Sequence, residues 1–458
     1  MDRRNFLKYV GTGLVAATAG AGYYLYGQRQ EYVPTETATS GGWETAAPHP
    51  GNNAPIIWAL DVKPKYLNPT TETAIRLSHS SSDWDNDPLS TTWLIDWKEV
   101  SHEHDYSTKL PEGHHSVTLK VSDGKSQATK YASVTVEPEQ IYPTKTLDLK
   151  YKGVRYSAGA LTPEFPNIVT PSKEEMEEHL DTIRNDLGCN AITIDAGAGY
   201  EDNLIECAQL AIEKGFDSIH VQPRYFNATV DETVQNVGRL ARRVRELREI
   251  SDVVVYDLGH EFTLETSGIV PGDGWFERLD YLVKNPDWPK EVEAKFPRMF
   301  RDLMAVCNQN YGYKVSYAAI AWCEVDLVPW SDESFESVGV DAYIQPVSAA
   351  TEDWVVRLLS RLKKHGKPVN STEAGCLTFS GAGEIGGCVT FGVWEGRQYD
   401  EEEQARYIDR YCNMLNKARI DGYFYTQYND TWDRGYGLYN GKKRKKGFYM
   451  YKSYKRTE

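Results

Sequence analysis

The sequence predicts a (β/α)₈ barrel that follows a smaller β-sandwich. Three observations support this fold class. Strand-like and helix-like segments alternate from residue 145 to residue 456, the strand candidates number eight, and residues 54–137 contain strand-like segments only. Alternation of strands and helices is typical of a parallel sheet, and eight such units in roughly 300 residues can close into a barrel. We therefore expect two domains in this chain of 458 residues.

The eight strand candidates are short runs rich in β-branched and aromatic residues. In chain order they read VRYSAGAL, NAITIDA, SIHVQPRYF, DVVVYDLGHE, YKVSYAAIAW, SVGVDAYIQP, PVNSTEAG and GYFYTQYND. Helical segments separate most of them, and the first begins after Ser172 and ends at Gly188, residues that favour the two ends of a helix. The alternative fold is an open, doubly wound sheet. Such a sheet usually has a Gly-rich phosphate loop after its first strand, and no such loop follows here.

Residues 54–137 predict a β-sandwich of immunoglobulin type. The runs IIWALDV, TAIRLSH, STTWLIDW, HSVTLKVSD and YASVTVEP alternate apolar and polar residues, as strands with one buried face do. In residues 82–89 (SDWDNDPL), in Trp93 and in residues 111–124 (PEGHHSVTLKVSDG), this segment resembles PKD-like domains. The resemblance implies a spacer or a module that binds carbohydrate or protein weakly.

Two groups of residues allow alternative interpretations. Asp83, Asp85 and Asp87 could supply oxygen ligands for Ca²⁺ or cap a turn. Cys376 and Cys388 flank one predicted loop and are the plausible local disulfide pair, whereas buried free thiols are expected for the other cysteines.

The N-terminal 53 residues precede both predicted domains. Residues 1–27 contain Arg3 and Arg4 before an apolar stretch, and they resemble a twin-arginine signal, which directs folded proteins to the twin-arginine export machinery. The apolar stretch of about 18 residues is near the lower limit for a membrane span, so both cleavage and retention as a membrane tether are open. Residues 28–53 are rich in Thr, Ser, Gly, Pro and Ala, which predicts a linker. We therefore expect a secreted protein, or one held at the extracellular face of the membrane.

Charge and histidine spacing exclude some classes of function. The formal net charge of -15 argues against a nucleic-acid partner, because few cations are available to neutralise phosphates. The histidines of the predicted barrel form neither an HxH nor an HExxH motif, which weakens the hypothesis of a metal-dependent barrel hydrolase. We therefore expect no metal and no cofactor.

Two glutamates end predicted barrel strands: Glu261 ends the fourth, and Glu373 lies near the end of the seventh. Barrel enzymes present their catalytic groups at the carboxyl ends of the strands. Two carboxyl groups on one rim are the minimal equipment for cleaving a glycosidic bond, since one protonates the leaving oxygen and the other attacks the anomeric carbon or activates water. The sequence therefore predicts a glycosidase.

The same positions resemble those of glycoside hydrolase clan A. The runs GVDAY, residues 339–343, and KPVNSTEAG, residues 367–375, are similar to β-mannanase-type members of that clan. The resemblance implies a retaining enzyme that cleaves a β-linked polysaccharide or oligosaccharide, with Glu261 as acid/base and Glu373 as nucleophile. In such a barrel, Tyr343 lies near Glu373 and hydrogen-bonds it, although a core role for this tyrosine is the alternative.

Other residues near the strand ends are candidate substrate contacts. The clan usually has an asparagine before the acid/base, where it bonds the sugar 2-hydroxyl; this chain has His260, which can donate the same bond. Glu265 is a competing acid/base candidate. Arg224 follows the third strand and contacts a sugar hydroxyl or the nucleophile, unless it forms a surface salt bridge. The candidate stacking platforms for sugar rings are Trp322, Trp394 and Trp432.

A non-catalytic carbohydrate-binding surface protein with a degenerate barrel is the alternative function. The presence of both glutamates favours the enzyme, because binding alone requires neither a nucleophile nor an acid.

Export through the twin-arginine route gives the first testable prediction. Replacement of Arg3 and Arg4 by lysine should abolish export, because the paired arginines are the recognition feature of this signal. The measurement is the fraction of protein found outside the cytoplasm by immunoblotting. Export at the wild-type level through this route in the double variant would contradict the targeting hypothesis.

Overall fold

The structure is a computed structural model, and it divides into two compact units. It describes residues 52–63, 66–67, 74–136, 141–162, 165, 168–344, 350–385, 397–430, 435–441 and 443–457. The described residues up to Val136 form one unit, and those from Ile141 onward form the other. No helix within these ranges is both long and apolar enough to cross a membrane.

The described part of the N-terminal unit contains two sheets. Its strands are β1 (Ile56–Lys63), β2 (Tyr66–Leu67), β3 (Ile75–Ser82), β4 (Ser90–Ile95), β5 (Lys98–Ser101), β6 (Tyr106–Thr108), β7 (Gly113–Ser122) and β8 (Gln127–Val136). One sheet has the order β1-β3-β6 and the other β2-β8-β7-β4-β5. The five predicted strands are β1, β3, β4, β7 and β8. The sequence analysis missed β2, β5 and β6, which are at most four residues long and therefore too short to show an alternating pattern.

The apolar face of each alternating strand supplies the core of this unit. Ile75, Leu77, Trp93, Leu119 and Val121 are fully buried and belong to one cluster. Burial of side chains two positions apart is the consequence of the period of two in a strand. Trp93 fills the centre of this core, and its indole N–H donates to the carbonyl of Glu103 at 2.9 Å.

Hydrogen bonds and an ion pair engage all three aspartates of the acidic cluster. Asp83 Oδ1 accepts from the backbone N–H of Asp85 at 2.8 Å and from that of Asp87 at 3.3 Å. Asp85 accepts from Asn53, and Asp87 forms an ion pair with Lys125. These contacts account for the cluster as a capped turn, and calcium binding stays a prediction.

The C-terminal unit contains a closed parallel barrel. Its strands are β9 (Lys145–Leu147), β10 (Tyr151–Ser157), β11 (Ala191–Gly197), β12 (Ser218–Arg224), β13 (Val254–His260), β14 (Val315–Ile320), β15 (Val338–Asp341), β16 (Val369–Ala374), β17 (Gly422–Tyr425) and β18 (Tyr454–Arg456). Strands β10 to β17 lie side by side in chain order, and β10 pairs with β17 to close the barrel. All eight predicted strands are present, so the (β/α)₈ prediction is confirmed and the open sheet is excluded.

Helices connect most of the barrel strands. In the described residues they are α1 (Lys173–Asp181), α2 (Glu201–Glu213), α3 (Val230–Ile250), α4 (Phe262–Glu265), α5 (Trp275–Lys284), α6 (Trp288–Asn310), α7 (Glu352–Leu362), α8 (Ala382–Ile385), α9 (Glu401–Ala418) and α10 (Lys446–Ser453). Ser172 caps α1 through a capping box with Glu175, as the sequence predicted. Gly188 has a φ of +67°, a conformation that glycine adopts at low cost.

The two ends of this unit are joined by a small sheet. Strand β18 pairs in parallel with β9, from Tyr454 opposite Lys145 to Arg456 opposite Leu147. Five described cysteines of the unit are buried free thiols: Cys189, Cys207, Cys307, Cys376 and Cys412. Cys388, the predicted partner of Cys376, lies outside the described residues.

Candidate active site

Polar side chains from several strands converge at the carboxyl end of the barrel. They come from β10, β11, β12, β13, β15 and β16, and each lies inside a strand or directly after it. The parallel arrangement brings these strand ends to one rim, where (β/α)₈ enzymes form their active sites. Glu261 and Glu373, the two glutamates identified from the sequence, both belong to this rim.

Three hydrogen-bond donors surround the carboxylate of Glu373. Tyr343 Oη donates to Oε1 at 2.7 Å, which is the contact expected from the sequence. His260 Nε2 lies 2.8 Å from Oε2, and the guanidinium of Arg155 forms an ion pair with the same oxygen. The Glu373 side chain is 16% exposed. Donors and a cation favour the ionised form of a carboxyl group, so this environment suits a carboxylate that must attack as an anion.

Arg155 is the main site residue that the sequence analysis missed. It lies within β10, is buried, and also contacts Asp195 Oδ2 at 2.6 Å and Gln222 Oε1 at 2.8 Å. Buried charges require partners, since an unpaired ion is strongly disfavoured away from water. A signal was available in VRYSAGAL, because an arginine inside an otherwise buried strand predicts a nearby carboxylate.

Glu261 has an environment that favours its neutral form. The residue is 6% exposed, and burial raises the pKa of its carboxyl group well above the usual value. The carboxyl groups of Asp341 and Glu324 act in the same direction, and Arg224 opposes them. A carboxyl group that keeps its proton near neutral pH can serve as a general acid.

The turn that presents Glu261 has a left-handed backbone conformation. Glu261 has a φ of 40° and a ψ of 51°, values that cost a residue with a side chain about 1–3 kcal/mol. Two hydrogen bonds from the following residues hold this turn against β14 and the segment after it. The N–H of Phe262 donates to Tyr317 Oη at 2.9 Å, and that of Thr263 donates to Glu324 Oε1 at 2.6 Å. These contacts stabilise the position of the glutamate.

Gly259, two residues earlier, is also constrained. It has a φ of +148°, and a Cβ there would approach the ring of Phe262 to 2.7 Å. Any larger residue would therefore displace the aromatic ring that begins α4 or move the strand end. The conformation of Glu261 thus depends on a glycine before it and on a fixed ring after it.

His260 lies between two carboxyl groups and contacts both. Nδ1 is 2.9 Å from Glu265 Oε1 and Nε2 is 2.8 Å from Glu373 Oε2. Burial, Arg224 and Arg155 hold the pKa of His260 well below its usual value. Both ring nitrogens thus face carboxyl groups, and a bond to the sugar 2-hydroxyl stays a prediction.

The neutral imidazole can serve both neighbours through one tautomer. A neutral ring has one donor and one acceptor nitrogen. The tautomer with a proton on Nε2 donates to Glu373, and its Nδ1 accepts from Glu265 when that carboxyl group is protonated. When Glu265 is ionised, it forms an ion pair with Arg224 instead. Burial raises the pKa of Glu265 to about 7, despite the opposing effect of Arg224, so the protonated form is accessible near neutral pH.

Arg224 and Glu265 form a buried ion pair beside this histidine. Arg224 Nε donates to Glu265 Oε1 at 2.5 Å, and both side chains are buried. The alternative prediction of a surface salt bridge is therefore wrong, because this ion pair is buried. The contact of Arg224 with a sugar hydroxyl or with the nucleophile stays a prediction. Glu265 shares one oxygen between Arg224 and His260, which makes it a poorer acid/base candidate than Glu261.

The aromatic candidates have different positions. Trp322, after β14, is partly buried and packs edge-on against Trp288 with the ring centroids 5.5 Å apart. Trp394 and Trp432 lie outside the described residues, so their roles stay predictions.

One group on the rim is compact enough to be considered for a metal. Single ligand atoms of His260, Glu261 and Asp341 lie within 4.8 Å of one another. The guanidinium groups of Arg155 and Arg224 already supply positive charge to this group, and the histidine nitrogens face Glu373 and Glu265. We therefore treat the group as part of the charge network around the two glutamates and assign no metal to it.

Comparisons with known proteins give structural neighbours of low identity. No family model and no curated protein matches this chain. A β-glucuronidase from Parabacteroides merdae has 11% identity and a TM-score of 0.45, over 87% of this chain and 54% of its own. A broad-specificity endoglucanase from Clostridium acetobutylicum has 11% identity and a TM-score of 0.42, over 66% of this chain and 96% of its own. The chain thus spans about half the length of the β-glucuronidase.

A third structural neighbour is a smaller domain. The PKD1 domain of Vibrio anguillarum Epp has 25% identity and a TM-score of 0.16, over 19% of this chain and 99% of its own. The two neighbours with wider coverage of this chain are glycosidases by name.

The buried position of Glu265 predicts a dependence of stability on pH. The pKa of Glu265 is about 7 when folded, against an ordinary value of 4.5, so the folded chain holds this proton more tightly than the unfolded chain. The stabilisation that this proton contributes is therefore fully present below pH 4.5 and is lost as pH rises toward 7. Glu265→Gln should reduce the decrease in the free energy of unfolding over this pH range by up to ~3 kcal/mol, measured by urea unfolding at several pH values. The exposed substitution Glu249→Gln is the control, and an unchanged pH dependence in Glu265→Gln would contradict the assignment.

Proposed function

We propose that this chain is a retaining glycoside hydrolase that cleaves β-linked polysaccharides or oligosaccharides. The observation that carries the proposal is the contrast between the two glutamates. Glu373 has three donors, one of them a permanent cation, whereas Glu261 is buried among other carboxyl groups. A retaining mechanism requires this contrast, because one group must be an anion while the other carries a proton.

The reaction then proceeds in two steps. Glu373 attacks the anomeric carbon, and the glycosidic bond breaks as Glu261 gives its proton to the leaving oxygen. Glu261 is now a carboxylate and removes a proton from water. The water oxygen attacks the anomeric carbon, the bond to Glu373 breaks, and the sugar leaves with its original configuration. In this scheme Arg155, Tyr343 and His260 hold Glu373 in place and restore it as an anion after each cycle.

We further propose that the enzyme acts outside the cytoplasm. The paired arginines at positions 3 and 4 support export through the twin-arginine machinery, with residues 1–27 either cleaved or retained as a membrane tether. The PKD-like segment would then act as a spacer or a weak binding module. A polysaccharide or oligosaccharide outside the cell is the expected partner.

Substitution of the two glutamates tests the proposal. Glu373→Ala should lower kcat by several orders of magnitude, because no group remains to form the covalent intermediate, and azide should partly restore turnover as a glycosyl azide of inverted configuration. Glu261→Ala should reduce the hydrolysis of substrates with poor leaving groups by roughly 10²–10⁴-fold and spare activated aryl glycosides, which need little protonation. The measurement is kcat and kcat/KM on a panel of aryl glycosides and polysaccharides.

Glu249→Ala, an exposed position in α3, is the matched control and should retain wild-type kinetics. Full activity in Glu373→Ala would contradict the assignment of the nucleophile. A wild-type protein that binds polysaccharide but hydrolyses none of the panel would favour the non-catalytic alternative. Loss of wild-type activity on chelation would favour the metal-dependent alternative.

A further inference from the structure

Asp341 is a buried acidic residue for which the two-glutamate mechanism has no role. It ends β15 and is 5% exposed. Its Oδ1 accepts a hydrogen bond from Thr372 Oγ1 at 2.8 Å. Its Oδ2 is buried, has no hydrogen-bond partner among the described residues, and lies 3.3 Å from His260 Nε2. A carboxylate oxygen without a donor is costly in the interior, so this residue requires an explanation.

The carboxyl group of Asp341 lies close to that of Glu261. One oxygen of each, together with a ring nitrogen of His260, falls within 4.8 Å of the others. Two buried carboxyl groups at such a separation resist ionising together, since the repulsion between their charges is weakly screened. Loss of one proton from the pair therefore makes loss of the second harder.

Charged and titratable groups face Asp341 from the surrounding elements. They are Arg155 of β10, Arg224 of β12, His260 and Glu261 at the end of β13, Tyr317 of β14 and Glu324 after it, Glu373 of β16 and Tyr411 of α9.

The hydrogen bonds of these neighbours show which member of the pair ionises first. Asp341 has a donor in Thr372, and the two arginines favour its charge. The hydroxyls of Tyr317 and Tyr411 donate elsewhere, to Glu324 and to the carbonyl of Ala342. Arg224 favours the charge of Glu261 as well, so the asymmetry within the pair comes from Thr372 and Arg155, and it makes Asp341 the stronger acid.

We propose that Asp341 is a positioning residue that ionises before Glu261, and that its charge then holds the proton on Glu261 and extends the acid form of the site to higher pH. This inference rests on the proposed function for its catalytic meaning. Asp341 exchanges no proton with the substrate. The proton that reaches the leaving oxygen comes from Glu261, and the proton that Glu261 recovers comes from water.

The directions of the pKa shifts agree with the geometry. Burial raises the pKa of Asp341 to about 8, against the opposing effects of Arg155 and Thr372. Burial raises the pKa of Glu261 well above its usual value, and Asp341 is the largest charge contribution to that rise.

An infrared titration of the full chain tests the coupling without a substrate. The C=O stretch of a protonated carboxyl group reports each proton directly, ¹³C-labelled glutamate separates Glu from Asp, and the difference from Glu261→Gln assigns the Glu261 band. In Asp341→Asn, which keeps an acceptor for Thr372, the Glu261 band should lose its proton about one pH unit or more below the wild-type position. Asp326→Asn, an exposed substitution, is the matched control and should leave the titration unchanged.

A second variant keeps the test valid if Asp341→Asn fails to fold. Thr372→Val preserves the shape of the side chain but removes the donor to Asp341, so it should shift the Glu261 titration downward by a smaller amount. An unchanged Glu261 titration in a folded Asp341→Asn protein, or in Thr372→Val where the first does not fold, would overturn the proposal.

Kinetics separate failure of this inference from failure of the proposed function. With a substrate that has a poor leaving group, the basic limb of the pH profile of kcat/KM should move to lower pH in Asp341→Asn. The shift should equal the shift of the Glu261 titration measured by infrared spectroscopy. Hydrolysis as proposed with an unmoved basic limb would overturn the role of Asp341 alone. A shifted infrared titration in a protein that hydrolyses no glycoside would reject the glycosidase and retain the coupling between the two carboxyl groups.

Discussion

The ion pair between the buried Arg155 and the partly buried Glu373 is the interaction on which the rest of the site depends. Arg155 belongs to the first barrel strand and Glu373 to the seventh, so closure of the barrel brings them together. The same guanidinium bonds Asp195 and Gln222, which fixes its orientation through two further strands. A buried cation that is held in this way stabilises the charge of a carboxylate only if that carboxylate contacts it directly. Glu373 is the rim glutamate that Arg155 contacts, and Glu261 is not.

Unequal distribution of positive charge explains why two glutamates on one rim have different chemistry. The described rim contains six buried or partly buried carboxyl groups, those of Asp195, Glu261, Glu265, Glu324, Asp341 and Glu373, around the two arginines 155 and 224. Each arginine already forms ion pairs: Arg155 with Glu373 and Asp195, and Arg224 with Glu265. Since water is largely absent from these positions, the carboxyl groups without a cation favour their neutral forms. The contrast between the two glutamates on which the proposed function rests therefore follows from the same shortage of cations.

The sequence predicted the barrel and its two glutamates because both depend on local patterns. Runs of β-branched residues separated by helical segments are visible in a single sequence, and so is a glutamate at the end of such a run. The contact between Tyr343 and Glu373 could be predicted for a related reason, since β15 and β16 are consecutive strands of the barrel.

The contacts of Arg155, Arg224 and His260 could not be predicted from the sequence in the same way, because they depend on which side chains meet across the closed barrel. Arg155 and Glu373 are 218 positions apart, and no periodicity in either strand identifies the other. His260 was expected to face a sugar, and the contacts of both its ring nitrogens with carboxyl groups were not predicted. The short strands β2, β5 and β6 were missed because two to four residues are too few to show an alternation.

Trapping of the covalent intermediate tests the central claim most directly. An activated fluoroglycoside of the sugar that the wild-type enzyme hydrolyses should form a covalent glycosyl-enzyme intermediate that breaks down slowly. Mass spectrometry of the digested protein should then find the sugar on the peptide that contains Glu373. The account predicts a label on the carboxylate of Glu373, formed in the wild type and absent in Glu373→Ala. A label on Glu261 or another residue, or hydrolysis with inversion at the anomeric carbon and no label, would contradict it.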